Sequence, residues 1–408
     1  MPDVVAVRDY VSLCLELDHL IPGAVTVRSG DLSAWQPRGS SAAALVREAG
    51  RLAMRLPDAG LEPVRERFLA AQLAAVECTA RRLAGQAVPF DAEVAACFDV
   101  AVPAPVDTGP VRRELDALLP GRGGLAERLT AHRERDAVPR DRLPAAVAAL
   151  AAELRERCAR AGLLAAAEEE VEFVVVDDAP WNALHRRLAP GRSQVLVNAG
   201  ARLRRSRLAQ LVAHEAYPGH HAEQLHRETV LVGERGLREH EVVLLRSPQS
   251  VLAEGAAECG LRVLLGREWG PVVAGVLGEV GVPVDGERAR RVEDALARLA
   301  EARVEAAVLL HARRARPVEV LAHLRRTLLL DDAGARRVLR FVADPRWRGS
   351  PVAAVAGARL VGRWLDAPGA TAAERWRALH DGTWTPSGLR GELDRTAHGP
   401  RQAVFVKR

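Results

Sequence analysis

Apolar residues recur at three- and four-residue intervals through much of the chain. The segments "SSAAALVREAGRLAMRL" (40–56), "VRERFLAAQLAAVECTARRLAG" (64–85), "AAVAALAAELRERCARAG" (145–162) and "RVEDALARLAEARVEAAVLLHARR" (291–314) all show it. That spacing gathers the apolar side chains on one face of an α-helix, so each segment is predicted to be an amphipathic helix. The stretch "FDVAVPAPVDTGP" (98–110), rich in Pro and closing with Gly, is a predicted loop between helices. Between 170 and 200 the period changes. Two β-branched runs, "VEFVVV" (171–176) and "SQVLVN" (193–198), stand apart with turn-formers between them and are predicted strands. The second leads through "AGARLRRSR" into the apolar-periodic "LAQLVAHEAY". The expected architecture is mostly α: a large helical fold with a small β-sheet beside one particular helix. Residues 1–165 form an N-terminal helical region and 166–408 a second region, together one compact unit.

Composition narrows the class. Charged residues make up 27% of the 408 positions and hydrophobic ones 48%, the balance of a globular protein. The net charge of +5 comes almost wholly from arginine, Lys407 being the lone lysine. Those arginines alternate with acids along helical stretches, as on solvated faces carrying i,i+4 pairs, rather than forming a patch interleaved with aromatics. Nucleic acid is therefore not an expected partner. Cys14, Cys78, Cys97, Cys158 and Cys259 are odd in number, scattered and without a CxxC pair, which points to a reducing compartment. The start, "MPDVVAVRDYVSLCLELD", has acids within its apolar stretch and no basic lead, unlike a signal peptide. No uncharged apolar run approaches ~20 residues, so no membrane span is expected. The expected setting is soluble and cytoplasmic.

Candidate chemistry concentrates in "HEAYPGHH", His214 to His221. It begins like the zinc-binding H-E-x-x-H, in which two histidines one helical turn apart share an ion. Pro218 occupies the second histidine's slot. At ~100° per residue His220 points away from His214 on a regular helix, and His221 lies ~10 Å further along. Zn–N bonds of ~2 Å cannot span that separation. A proline ring at 218, however, collides with the carbonyl of His214 and removes a hydrogen bond, while Gly219 adds freedom. A turn widened by two residues puts His220 where the second ligand belongs. The competing reading is a helix that ends at Pro-Gly with both histidines on the next one. A third ligand is available in "VLAEGAAECG", where Glu254 and Glu258 share a helix face. In zinc peptidases whose third ligand is glutamate, a second acid one turn later braces a ligating histidine, which casts Glu254 as ligand and Glu258 as brace.

These residues resemble a known family. HExxPGHH followed by E-G-x-A is the hallmark of the bacterial domain-of-unknown-function 885 family, grouped with glutamate-type zinc metallopeptidases near helical carboxypeptidases and peptidyl-dipeptidases. "HEAYPGHH" matches specifically and "AEGAAE" (253–258) less so. Further on, "VLLHARRARPVEVLAHL" resembles the family's L-H segment and places His311. "RFVADP" resembles its R-Y-x-x-x-P and places Arg340, and "LHDGTWTPSGLRGEL" resembles its closing H-D stretch with His380 and Asp381. The likeness covers the part after "VEFVVV". The chain departs from the family where the latter has aromatics after E-G, here Ala256 and Cys259, and where its later tyrosine, ahead of a glycine matching Gly357, is Ala354.

The resemblance implies a metallopeptidase-like catalytic region and a hydrolase holding one Zn²⁺ by His214, Glu254 and either His220 or His221. Glu215 is then the general base. His311, with Tyr217 as the lesser option, is the oxyanion donor, and Arg340 binds a substrate carboxylate. The expected substrate is a peptide, cleaved in carboxypeptidase or dipeptidase fashion. The lost tyrosine suits an alternative, a non-peptidase amide hydrolase or biosynthetic enzyme acting on a small molecule. A further alternative is a metal-free helical binding protein with a degenerate site.

Overall fold

A computed structural model describes residues 2–398 apart from 30, 31, 33, 34 and 180. Helices dominate it, and the strands fall into two small sheets. Periodicity located three of the four expected segments closely. The first, second and third expected segments become Ala42–Arg55, Pro63–Leu83 and Leu143–Arg160, and residues 99–108 form the expected loop. The fourth divides into Gly286–Ala300 and Arg303–His311, turning at Glu301 and Ala302, where no Pro or Gly announces a break. Among the described residues no helix is long and apolar enough to cross a membrane.

The larger sheet holds the two expected strands and one unexpected. β2 (Glu170–Val176) and β4 (Arg192–Asn198) are parallel neighbours, with Phe173 opposite Val195. β3 (Ala183–Ala189) pairs antiparallel with β4 on its other side, with His185 opposite Val195, giving the order β2-β4-β3. β3 reads "ALHRRLA", with only two large apolar residues, and Leu184 and Leu188 both face solvent. It therefore lacks the β-branched signal, and its pairing to β4 through the Pro190–Gly191 turn makes it a strand. The smaller sheet joins β1 (Val25–Arg28) to β5 (Val242–Leu244), far apart in sequence, Val25 lying opposite Leu244.

The regions before and after residue 165 share cores. Helix Leu143–Arg160 packs with β4, the helix Arg205–Glu215 and the helix Pro248–Leu265 around Leu150, Val195, Leu208, Val212 and Leu252. Val242 and Leu244 complete the N-terminal core of Tyr10, Leu45 and Phe68. Helix Pro248–Leu265 crosses helix Ser350–Asp366 at a pair of glycines. A Cβ on Gly255 would lie 2.5 Å from the Gly357 carbonyl oxygen, and one on Gly357 only 2.2 Å from that of Val251. Backbones approach that closely only where both residues lack side chains. The crossing fixes the helix that carries Glu254 and Glu258.

Candidate metal centre

Helix Arg205–Glu215 stops just after His214 and Glu215, and a second helix, His220–His226, starts at the next histidine. The interruption nevertheless has the geometry of a turn widened by two residues. Gly219 N–H donates to the Ala213 carbonyl at 2.9 Å and Ala222 N–H to that of Ala216 at 3.2 Å, each bond spanning six residues where a helix spans four. Gly219 is required there, since a Cβ would stand 1.9 Å from the His214 carbonyl oxygen and 2.4 Å from that of Ala213. Pro218 in turn packs on the glutamate helix, its Cδ 3.0 Å from the Cβ position of Gly260. Both sequence readings of the motif thus hold at once: the helix ends, and His220 returns to His214.

The imidazoles of His214 and His220 stand edge to face with centroids 4.8 Å apart. Glu254 lies between them, with Oε2 3.5 Å from His214 Nε2 and Oε1 3.5 Å from His220 Nε2. One ligand atom from each of the three falls within 4.8 Å of the others. The remaining imidazole nitrogens face further carboxylates, His214 Nδ1 at 3.6 Å from Glu258 and His220 Nδ1 at 3.9 Å from Glu223. Two Nε2 atoms and one carboxylate converge while both Nδ1 atoms are braced by acids, which is a donor set that fits zinc. Glu254 keeps 46% of its side chain exposed, so the set is open to solvent on one side, as a catalytic site requires.

Burial opposes a charged imidazole at His214, but Glu254, Glu258 and Glu215 outweigh it and hold its pKa well above the ordinary histidine value. At Glu258 burial is likewise outweighed by Arg207 and His214, and its pKa falls to about 2. The Arg207 guanidinium donates to both Glu258 oxygens, at 3.1 and 3.2 Å, tying the brace to the motif helix.

The structure separates the expected site residues into those that converge and those that do not. His221, the alternative ligand, is turned the other way and is 1% exposed. Its Nδ1 lies 2.8 Å from Ser193 Oγ and its Nε2 2.7 Å from Glu169 Oε2, so both nitrogens are committed to the sheet side of the helix. Tyr217 donates its hydroxyl to the same Glu169 oxygen at 2.7 Å and is not free to meet an oxyanion. His311 closes its helix elsewhere, with Nε2 2.8 Å from the Val342 carbonyl and its ring 5.5 Å from Phe90, and burial lowers its pKa. It is not part of the convergent set. Arg340 is exposed on helix Asp332–Ala343. Ala354 is exposed on its helix, and Asp381 pairs with His226 at 2.9 Å.

Glu215 follows His214 and acts on its charge, and a strand holds its carboxylate. Its Oε2 accepts from the backbone N–H of His185 at 3.0 Å. β3 has a strand partner on one side only among the described residues, so its other edge faces the motif helix. Four further residues escaped sequence reasoning. His185 lies with its ring 6.1 Å from that of His220, kept neutral by burial with a pKa of about 3. Ser193 Oγ bridges it to His221, being 2.9 Å from His185 Nε2. Glu169 anchors His221 and Tyr217. Glu223 stands three residues after His220, a spacing that could have been read from "HHAEQ"; nothing in the sequence marked the other three.

The chain matches no family model and none of the curated proteins compared. Among solved structures it is similar to the crystal structure of the putative lipoprotein from Colwellia psychrerythraea, with a TM-score of 0.52 and 15% sequence identity over 88% of this chain and 68% of that one. That likeness concerns the fold alone.

Proposed function

We propose that the chain is a zinc-dependent hydrolase of amide bonds that acts on peptides in extended form in the cytoplasm. The observation that carries the reading is the convergence of His214, His220 and Glu254 within 4.8 Å. When bound, zinc supplies Lewis acidity toward water and an amide carbonyl. Glu215, next in sequence to a ligand, takes the proton of the attacking water and delivers it to the leaving amine. The His185 N–H that it accepts aims its carboxylate. Glu258 and Glu223 set the orientation of the two imidazoles. The unpaired edge of β3 offers backbone groups to an extended peptide by strand addition. Five free, buried cysteines support the reducing compartment.

One observation favours a second substrate class, a small or activated amide. Tyr217 is bonded to Glu169, Tyr10 is buried in the N-terminal core, and Ala354 replaces the tyrosine of the resembled family. No tyrosine is left to stabilise the oxyanion, and an unactivated peptide bond needs that help most.

Metal analysis and a peptide-library digest on the purified chain test the proposal together. About one zinc per chain is expected, with cleavage of some library members. Glu215→Gln should keep the metal and lose about 10²–10⁴-fold in turnover. A metal content below about half an ion per chain, with thermal stability unaffected by chelator, would overturn the metal reading. Full activity in the glutamine variant would overturn the assigned base.

A further inference from the structure

A cavity of about 40 Å³ adjoins the metal centre, and its walls carry polar groups the proposed chemistry does not use. Glu223 lines it and also reaches His220 Nδ1, while Leu252 and Ala253 line it immediately ahead of Glu254. A group lodged in the cavity is therefore next to whatever the centre holds. Phe68, Leu231 and Leu252 provide apolar wall.

Besides His226 Nε2, which lies 2.9 Å from Asp381 Oδ1, three buried polar atoms on this lining have no hydrogen-bond partner among the described residues: His240 Nε2, Gln249 Oε1 and His380 Nε2. Their residues are only 2%, 9% and 9% exposed, so bulk solvent hardly reaches them and a group lodged in the cavity can supply their partners. Gln249 Nε2 lies 3.4 Å from His240 Nδ1. With the amide donating, the His240 proton sits on Nε2 and points outward as a donor, beside the Gln249 oxygen as an acceptor. Turning the Gln249 amide over exchanges the two roles and still leaves one donor and one acceptor.

No net charge faces the cavity. Arg227 is paired with Glu223, burial lowers the pKa of His226, and the carboxylate of Asp381 that His226 meets at 2.9 Å is half exposed and lies outside the lining. Burial holds His240 and His380 neutral, each with a pKa of about 3. A carboxylate or ammonium entering here would lose its hydration without gaining a counter-charge. An aliphatic group would leave the three polar atoms unpaired.

We propose that this cavity is a pocket for an uncharged carboxamide side chain, that of Gln or Asn, on the substrate beside the metal centre. The term substrate rests on the hydrolase reading; the binding chemistry does not. At about 10–15 Å³ per water-sized position, the volume admits about three heavy atoms, the number in a carboxamide. The carboxamide accepts from one lining group and donates to its neighbour, and His380 Nε2 is available to a third bond.

Imidazole NMR on the full chain, labelled with ¹⁵N-histidine and stripped of metal, tests the pocket with three near-isosteric probes: acetylated, amidated glutamine, glutamate and leucine. The glutamine probe should shift the His240 and His380 ring signals saturably and bind about tenfold or more tighter than either analogue. Gln249→Leu should bring it down to the level of the leucine probe. Equal shifts from all three probes would mean that the shared backbone amides bind, and would overturn the proposal. Preference for glutamate or leucine, or no shift with any probe, would do the same. The three-probe comparison on the unaltered chain decides the matter even if Gln249→Leu does not fold. Because metal is absent throughout, this outcome is independent of zinc binding. Selective glutamine binding can stand if the hydrolase reading falls, and the converse also holds.

Discussion

Gly219→Ala is the sharpest perturbation of the metal centre, because it adds one carbon and alters no ligand. The new Cβ would stand 1.9 Å from the His214 carbonyl oxygen, 2.4 Å from that of Ala213 and 2.6 Å from the His214 carbonyl carbon. All three are backbone atoms, so no rotamer change relieves the overlap. Reaching the 3.0 Å that Cβ atoms tolerate requires a backbone shift of about 1.1 Å (3.0 less 1.9) between His214 and His220. Metal sites accept ligand displacements of about 0.2 Å. A shift several times larger removes His220 from the set, where loss of a mere supporting contact already costs about 10–100-fold in affinity. Zinc affinity should therefore fall by at least about 100-fold, roughly 2.7 kcal/mol. Stability of the metal-free chain should fall by only about 1–3 kcal/mol, as for an overpacked interior.

The two effects separate by experiment. Zinc affinity comes from competition with a chromophoric chelator, and stability from urea unfolding in EDTA. Gly275→Ala is the control: it lies in helix Gly270–Glu279, and a Cβ there meets nothing within 4 Å. It should leave zinc binding intact and raise stability by up to about 1 kcal/mol through helix propensity. Should Gly219→Ala bind zinc within twofold of the parent, the glycine would not be what brings His220 back to His214, and the reasoning from the widened turn would fail.

Two further outcomes follow from neighbouring features. His220→Ala should abolish stoichiometric zinc binding, whereas His221→Ala should retain it and lose about 1–3 kcal/mol of stability, because Glu169 loses a buried partner; metal content and urea unfolding of the pair decide the assignment. Glu93 is buried against Arg82, Arg246 and Arg348, and although burial opposes ionisation, Arg246 and Arg82 hold its pKa below the ordinary 4.5. A carboxylate depressed in the folded state stabilises above its unfolded pKa, and that contribution disappears as pH falls through the folded value. Glu93→Gln should thus cost about 3–5 kcal/mol at pH 7, and the gap from the parent should shrink as pH drops below about 4.5. A gap constant from pH 7 to the acid limit of folding would refute the ion-pair account.

The helices were legible because a buried face imposes its period on the sequence, and "VRERFLAAQLAAVECTARRLAG" carries that face without interruption. β3 was illegible for the opposite reason. Its Leu184 and Leu188 point to solvent on the same face as Arg186, so nothing local separates "ALHRRLA" from a loop. Its stability derives from pairing with β4, a contact between segments that periodicity does not register. The pairing of β1 with β5 joins residues more than two hundred positions apart and is invisible for the same reason.

The candidate site divides along similar lines. His214, Glu215, Glu254 and Glu258 could be read because each relation lies within one helix, where 100° per residue fixes which side chains share a face. The choice between His220 and His221 could not, because it depends on what each side of the second helix meets. On one side stands the glutamate helix, held by the Gly255–Gly357 crossing, and Glu254 takes His220. On the other stands the sheet, where Ser193 of β4 and Glu169 just ahead of β2 take both nitrogens of His221. Adjacent residues on a helix point about 100° apart, so two neighbouring layers with different chemistry divide the two histidines between them. The second histidine of "GHH" thereby serves the first. It fixes the helix to the sheet whose far strand, through the His185 N–H, holds the carboxylate of Glu215. His214, Glu215 and the open edge of β3 are thus registered to one another through His221, a residue that stands outside the convergent set.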